Sequence, residues 1–156
     1  MSSAESSIPQ SVARLYGNAA RLIDRLQPLF ALALRIHVAR VFFLSGLTKL
    51  HDWNITLALF QNEYHVPVLS PAVAAILGTG AELGLPILLF FGVGTRFAAA
   101  ALFAFNIVAA ISYPDLSDAG LKDHVLWGAL LLVTFLYGPG KLSLDHLFRQ
   151  RLGGAD

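Results

Sequence analysis

The chain has 156 residues, enough for one domain, and it is 56% apolar with only 13% charged residues, too oily for an ordinary soluble core of that size. A net charge of +1 and the lack of a basic stripe with stacking aromatics argue against nucleic-acid binding. With no cysteine, the chain itself supplies no thiol–disulfide exchange, thiolate-held zinc or iron–sulfur ligation.

Residues 1–9 are small and polar without apolar periodicity, the composition of a disordered tail. No short apolar core with a small-residue cleavage site precedes the first apolar stretch, so the reading is of an uncleaved protein. From Gln10 to Leu26, Val12, Leu15, Ala19, Leu22, Ile23 and Leu26 recur at helical spacing, with Arg14, Arg21 and Arg25 elsewhere on the helix. That pattern predicts an amphipathic helix lying on a membrane surface, within a polar N-terminal segment of residues 1–28.

A helix crosses a ~30 Å hydrocarbon layer with ~20 mostly apolar residues. Residues 29–50, 72–93 and 97–113 meet that need, and a fourth span over 121–138 does so if Leu121, Lys122 and Asp123 join the apolar run from His124 to Tyr137. The expected fold is therefore all-α: four transmembrane helices over residues 29–142, the interfacial helix before them, and a C-terminal tail over 143–156. Gly92-Val93-Gly94-Thr95-Arg96 predicts a tight turn that makes the second and third spans antiparallel neighbours. Between the first two spans, Asp52 can cap a short helix with Trp53, Leu57, Phe60 and Tyr64 on one face, closed by Val66-Pro67. After Gly138-Pro139-Gly140, Ser143 can cap a last turn through Leu144, Leu147 and Phe148.

With the N-terminus inside, seven cations (Arg14, Arg21, Arg25, Arg96, Lys141, Arg149 and Arg151) face the cytoplasm against Lys49 and Lys122 outside. Both termini are expected to be cytoplasmic.

Ionisable groups within a span are costly and by default functional. Arg40 lies eleven residues beyond Leu29 and Glu82 ten beyond Ala72, which predicts matching mid-membrane depths and an Arg40–Glu82 pair. A purely structural pair that fixes helix register is the alternative. His37 shares the face of Arg40 and is a candidate proton relay, whereas Arg35, near the inner end, is expected to reach out to the interface. Pro86 removes the helical partner of the Glu82 carbonyl and, with Gly78, Gly80 and Gly84 nearby, predicts a bend with close helix approach. Asn106 can hydrogen-bond toward this centre, and Lys49 and His124, each at the end of a span, can touch a ligand headgroup. The outer histidines and carboxylates show no metal-ligand spacing, so no metal site is expected, nor any haem or nucleotide.

The stretch from Arg40 through Val41-Phe42-Phe43-Leu44-Ser45-Gly46-Leu47-Thr48 to Lys49, then Gly80-Ala81-Glu82-Leu83-Gly84-Leu85-Pro86, Gly92-Val93-Gly94-Thr95-Arg96 and Gly138-Pro139-Gly140-Lys141-Leu142-Ser143-Leu144-Asp145 resembles the DoxX family over roughly residues 30–148. The resemblance implies a four-helix protein of the bacterial inner membrane. It also implies kinship with the small membrane subunit of thiosulfate:quinone oxidoreductases, which pass electrons from sulfur compounds to quinone. Arg40, Lys49 and Glu82 match positions typical of that pattern, and the N-terminal amphipathic helix lies outside it.

The first expectation is thus a membrane subunit of a quinone-linked oxidoreductase, with Glu82 as proton carrier, Arg40 holding its charge, and His37 or His124 linking the site to water. Its partners would be the lipid bilayer, an oxidoreductase subunit and a second copy of the chain. The alternatives are an accessory for transport or assembly of a small solute or metal, and a plain anchor for a partner enzyme.

Overall fold

The computed structural model describes residues 10–153. They form six helices: α1 (Gln10–His51), α2 (Trp53–Asn62), α3 (Pro71–Phe91), α4 (Thr95–Ser112), α5 (Asp118–Tyr137) and α6 (Leu144–Leu152). No strand occurs among the described residues, and α1, α3, α4 and α5 are long and apolar enough to cross a membrane. The fold class expected from the sequence is the one observed.

The helix ends follow local chemistry. Asp52 accepts from the Ile55 N–H to start α2, Ser117 from Gly120 to start α5, and Ser143 from His146 to start α6. The Ser117 cap sets the start of the fourth span at Asp118, so Leu121, Lys122 and Asp123 do join it. Helix α2 stops at Asn62, earlier than the Val66-Pro67 boundary expected, because the Glu63 and Tyr64 N–H groups both close on the Leu59 carbonyl. At the α3–α4 turn, Gly92 and Gly94 adopt φ of 70° and 53°, left-handed values that side chains with a Cβ rarely take.

The N-terminal segment differs from expectation in one respect. Instead of an interfacial helix distinct from the first span, α1 runs unbroken through Pro28 for 42 residues. At ~1.5 Å per residue this is about 63 Å, roughly twice the hydrocarbon thickness. Pro28 removes one hydrogen bond without ending the helix. The expected tail over residues 1–9 lies outside the described residues.

Helix α1 packs chiefly on α3, and α4 on α5, with α3 and α4 joining the two pairs. Val38, Ala39, Phe42, Leu89, Ala98, Ala99, Leu102 and Leu131 form the central core. Alanine at two of the three α4 core positions, Ala98 and Ala99, lets the helices approach closely, as expected where packing rather than water exclusion holds helices together. A smaller cluster of Phe60, Ala74 and Ala75 seats α2 on the first turns of α3. The outward faces remain apolar: Ile76, Leu77, Phe97, Ile111 and Val125 are all exposed, the surface a bilayer would cover.

The first turns of α1, the α3–α4 turn and α6 lie on one side of the bundle, here the terminal end; α2 lies at the other. The terminal end is tied by polar contacts among segments remote in sequence. Arg35, expected to reach out to the interface, is instead 1% exposed, and its guanidinium donates to the carbonyls of Leu89, Phe90 and Leu142. Asp145 accepts from the Gly94 and Thr95 N–H groups and the Thr95 hydroxyl, while its own N–H donates to Gly92 O. An added Cβ at Gly92 would collide with Arg35 and Ser143, so glycine is required there for space as well as conformation.

Candidate functional site

Glu82 is 5% exposed in the middle of α3, and its partner is Lys49, not Arg40. Lys49 Nζ donates to both carboxylate oxygens, at 2.8 Å to Oε1 and 2.6 Å to Oε2. Ser45, one turn before Lys49 on the same face of α1, accepts from Lys49 Nζ at 3.1 Å and donates to Glu82 Oε1 at 3.0 Å. The carboxylate thus has three hydrogen-bond donors' worth of contacts from one helix face, which offsets its desolvation.

The register that brings these groups together is set by Gly46. Its backbone rests against α3 so closely that an added Cβ would lie 2.9 Å from Leu83 Cδ2 and 3.1 Å from Glu82 Cβ. Glu82 is therefore level with Gly46. Arg40, six residues earlier, lies about 9 Å nearer the terminal end and points to a different side of α1. The expected Arg40–Glu82 pair fails for this reason: α1 passes Leu29 without a break, so distance from Leu29 does not measure depth. His37 and Arg40 are both exposed on the outward face of α1, so His37 is not placed to relay protons to Glu82.

Lys49 and Ser45 form part of the wall of a cavity of about 360 Å³ at the α2 end. The other walls come from α2 and its following loop (Phe60, Tyr64, Val66), from α3 (Ala74, Gly78, Ala81), from α4 (Phe105, Ser112) and the segment after it (Tyr113), and from His124 of α5. Aromatic rings frame it: Phe60 and Tyr64 meet edge-to-face at 4.9 Å, and Tyr64 and Tyr113 at 5.4 Å. Thr56 Oγ1 donates to the Lys49 carbonyl at 2.8 Å, so α2 also clamps the end of α1 that carries the lysine.

The two remaining expected residues pair with each other. Asn106 Nδ2 donates to the His124 carbonyl at 2.9 Å, and its Oδ1 faces His124 Nδ1 at 2.8 Å. Because the amide nitrogen is committed to the carbonyl, Oδ1 is the acceptor and Nδ1 carries the proton, leaving Nε2 as the basic nitrogen of the ring. Ser112 Oγ, on the cavity wall, is buried without a hydrogen-bond partner among the described residues. A polar atom so placed is ready to bond something that enters.

Burial, together with the Tyr113 phenol and the Glu63 and Glu82 carboxylates, pushes the Tyr64 phenol above its ordinary range, so it remains a proton donor. No group of three or more His, Asp or Glu residues suited to a metal converges among the described residues. Sequence reasoning missed Ser45, Tyr64, Ser112 and Tyr113 as site residues. Only Ser45 carried a local signal, its four-residue spacing from Lys49.

Fold and site together define a small polytopic helical membrane protein with a buried ion pair beside an apolar, aromatic-walled cavity. The family model described as DoxX matches residues 30–114, more than half of the chain. A protein of Haemophilus influenzae, described only as uncharacterized, is 37% identical over 126 residues, covering 76% of this chain and 83% of the relative. The chain belongs to the DoxX family. No solved structure matches it.

Proposed function

We propose that this protein is the quinone-binding membrane subunit of a quinone-linked oxidoreductase of the bacterial inner membrane, with both termini in the cytoplasm. The observation that carries the reading is the Lys49–Glu82–Ser45 cluster at the wall of an aromatic-lined cavity within an otherwise apolar bundle. Its volume of about 360 Å³ lies within the range of small-molecule sites, and its mostly apolar lining with a few convergent polar groups is their usual make-up. A quinone headgroup is flat, apolar on its faces and an acceptor at its two carbonyls, which matches aromatic walls with donors at Tyr64 and Ser112 and the positive charge of Lys49.

Reduction of a quinone to a quinol takes two electrons and two protons. The electrons come from a partner subunit that oxidises the donor, since this chain holds no cysteine to ligate a cluster or exchange a disulfide. The chain's own part is to bind, orient and protonate. Lys49, its N–H groups held by Glu82 and Ser45, sets a positive charge beside one carbonyl, where negative charge develops. His124, with Nε2 basic and Nδ1–H on Asn106, takes the relay role that was expected of either His37 or His124. The excess of cations at the terminal end, seven against two, supports this orientation.

The protein purified from its native membrane in mild detergent should retain quinone detectable in a solvent extract, and Lys49→Met should remove it while the protein still folds. A wild-type protein that carries no quinone, and whose absorbance and fluorescence do not change with an added short-chain quinone, would overturn the reading.

A further inference from the structure

Arg40 is left without a role by the geometry above. It is exposed on the outward face of α1, and among the described residues it has no ion-pair partner. It stands at the rim of a second groove, about 390 Å³, formed where α1 meets the last two turns of α3. Ala39, Phe43, Pro86, Ile87 and Phe91 are among its walls, and Arg40 is its sole charged lining residue. Ala39 and Pro86 are its small lining residues, and Phe43, Phe90 and Phe91 supply aromatic wall.

The level of this groove matters. Arg40 is about 9 Å nearer the terminal end than Gly46 and is flanked by the final residues of α3, which ends at Phe91. Long side chains on a helix lean toward its N-terminus, here toward the terminal end. The guanidinium therefore reaches the headgroup layer, while the groove runs from it toward the membrane centre. His37, exposed one turn nearer the terminal end on the same side of α1, adds a ring nitrogen at headgroup level. The ligand chemistry this describes is an anion joined to a hydrocarbon chain.

We propose that the Arg40 groove is a binding site for an anionic phospholipid of the leaflet on the terminal side, its phosphate on Arg40 and one acyl chain along Phe43, Pro86, Ile87 and Phe91. The occupant is a lipid rather than a partner helix for two reasons. A partner carboxylate would have to be supplied at a depth where lipid phosphates are already abundant. The terminal end also carries Arg14, Arg21, Arg25, Arg96, Lys141, Arg149 and Arg151, which enrich anionic lipid around it. The guanidinium's planar donor fork suits a phosphodiester. This site is separate from the Lys49–Glu82 cavity and stands or falls independently of it.

The test is native mass spectrometry of the full chain, delipidated in mild detergent and then given equal amounts of phosphatidylglycerol and phosphatidylcholine of the same acyl composition. Wild type should retain phosphatidylglycerol in preference, and R40Q should lower that retention about fivefold, the contribution of one arginine near an anionic surface. R40K should keep most of it. Ile87→Trp, which fills the groove and leaves the guanidinium, should lower retention as well. Inorganic phosphate at millimolar concentration should not displace the lipid, since it lacks the chain. Equal retention of the two lipids by wild type, unchanged retention in R40Q, or displacement by free phosphate would each overturn the proposal. So would an Ile87→Cys variant, at an exposed position of the groove, that forms a disulfide dimer or captures a partner subunit across this face in intact membranes, which the absence of native cysteine makes simple to read.

Discussion

Lys49 and Glu82 are joined by two charged hydrogen bonds, 2.8 and 2.6 Å, between helices that run in opposite directions. The lysine side chain spans the offset by leaning back toward the N-terminus of α1, which brings Nζ to the level of Gly46 and Ser45. Removing one partner is a different perturbation from removing both. Lys49→Met leaves a carboxylate that is 7% exposed with Ser45 as its only donor, and should destabilise the bundle by about 3 kcal/mol. Joint replacement by Lys49→Met and Glu82→Leu should recover most of that stability. If the cluster serves a ligand, the double variant folds yet retains no quinone; thermal unfolding in detergent and quinone extraction on the same preparation separate the two effects.

Gly46 sets the register of that pair, and it does so by lacking a side chain. An alanine there would put Cβ 2.9 Å from both Cγ and Cδ2 of Leu83 and 3.1 Å from Glu82 Cβ. Leu83 can turn away, but Glu82 Cβ cannot move without shifting α3. Gly46→Ala should therefore destabilise by about 1–3 kcal/mol, the usual range for overpacking, and Gly46→Val by more. Gly80→Ala is the control, since a Cβ there meets open space. Equal melting temperatures for G46A and G80A would remove Gly46 from this role.

Asn106 and His124 form a closed two-point contact, and its loss should be felt at the cavity. Asn106→Leu strips the His124 carbonyl of its donor and the ring of its acceptor, at a cost of about 1–3 kcal/mol for the groups left unpaired. It also frees the imidazole to change tautomer. Asn106→Asp keeps an acceptor for Nδ1–H while losing the donor to the carbonyl, so it should preserve the ring's tautomer at a stability cost. Nitrogen chemical shifts of labelled His124 distinguish these outcomes: an Nδ1–H tautomer in wild type and N106D, and a mixture in N106L. A mixed population already present in wild type would sink the assignment.

The spans were legible because length and apolarity alone carry that signal, and the caps at Asp52 and Ser143 because each is a local side-chain to backbone bond. The Lys49–Glu82 pairing was not. Counting depth from Leu29 and from Ala72 assumes that each helix begins at the membrane face, yet α1 begins at Gln10 and passes Leu29 without a mark. What aligns α1 with α3 is the contact of Gly46 with Leu83, a fact of tertiary packing. Arg35 escaped for a similar reason, since the carbonyls that hold it belong to Leu89, Phe90 and Leu142, fifty or more residues away. The cavity likewise depends on Tyr64 and Tyr113 meeting at 5.4 Å from loops that no local pattern links.

Asp145 should make the terminal end sensitive to acid. Burial alone would raise the pKa of its carboxyl, but hydrogen bonds from the Thr95 N–H, the Thr95 hydroxyl and the Gly94 N–H, with the charge of Arg149, outweigh that and hold it below its ordinary 3.8. A carboxylate with a lowered folded-state pKa binds fewer protons folded than unfolded. Its contribution is thus complete above the ordinary value and is lost as pH falls through the depressed one. At neutral pH the α6 segment should stay docked on the α3–α4 turn, and below pH 3.8 it should begin to release. Limited proteolysis with an acid-active protease reads this as faster cleavage around residues 138–146. Asp145→Asn keeps the shape, weakens the bonds from Gly94 and Thr95, and should make cleavage faster at moderate acidity with no further rise as pH falls. Cleavage in the asparagine variant that climbs with acid as steeply as in wild type would place the acid sensitivity in some other group.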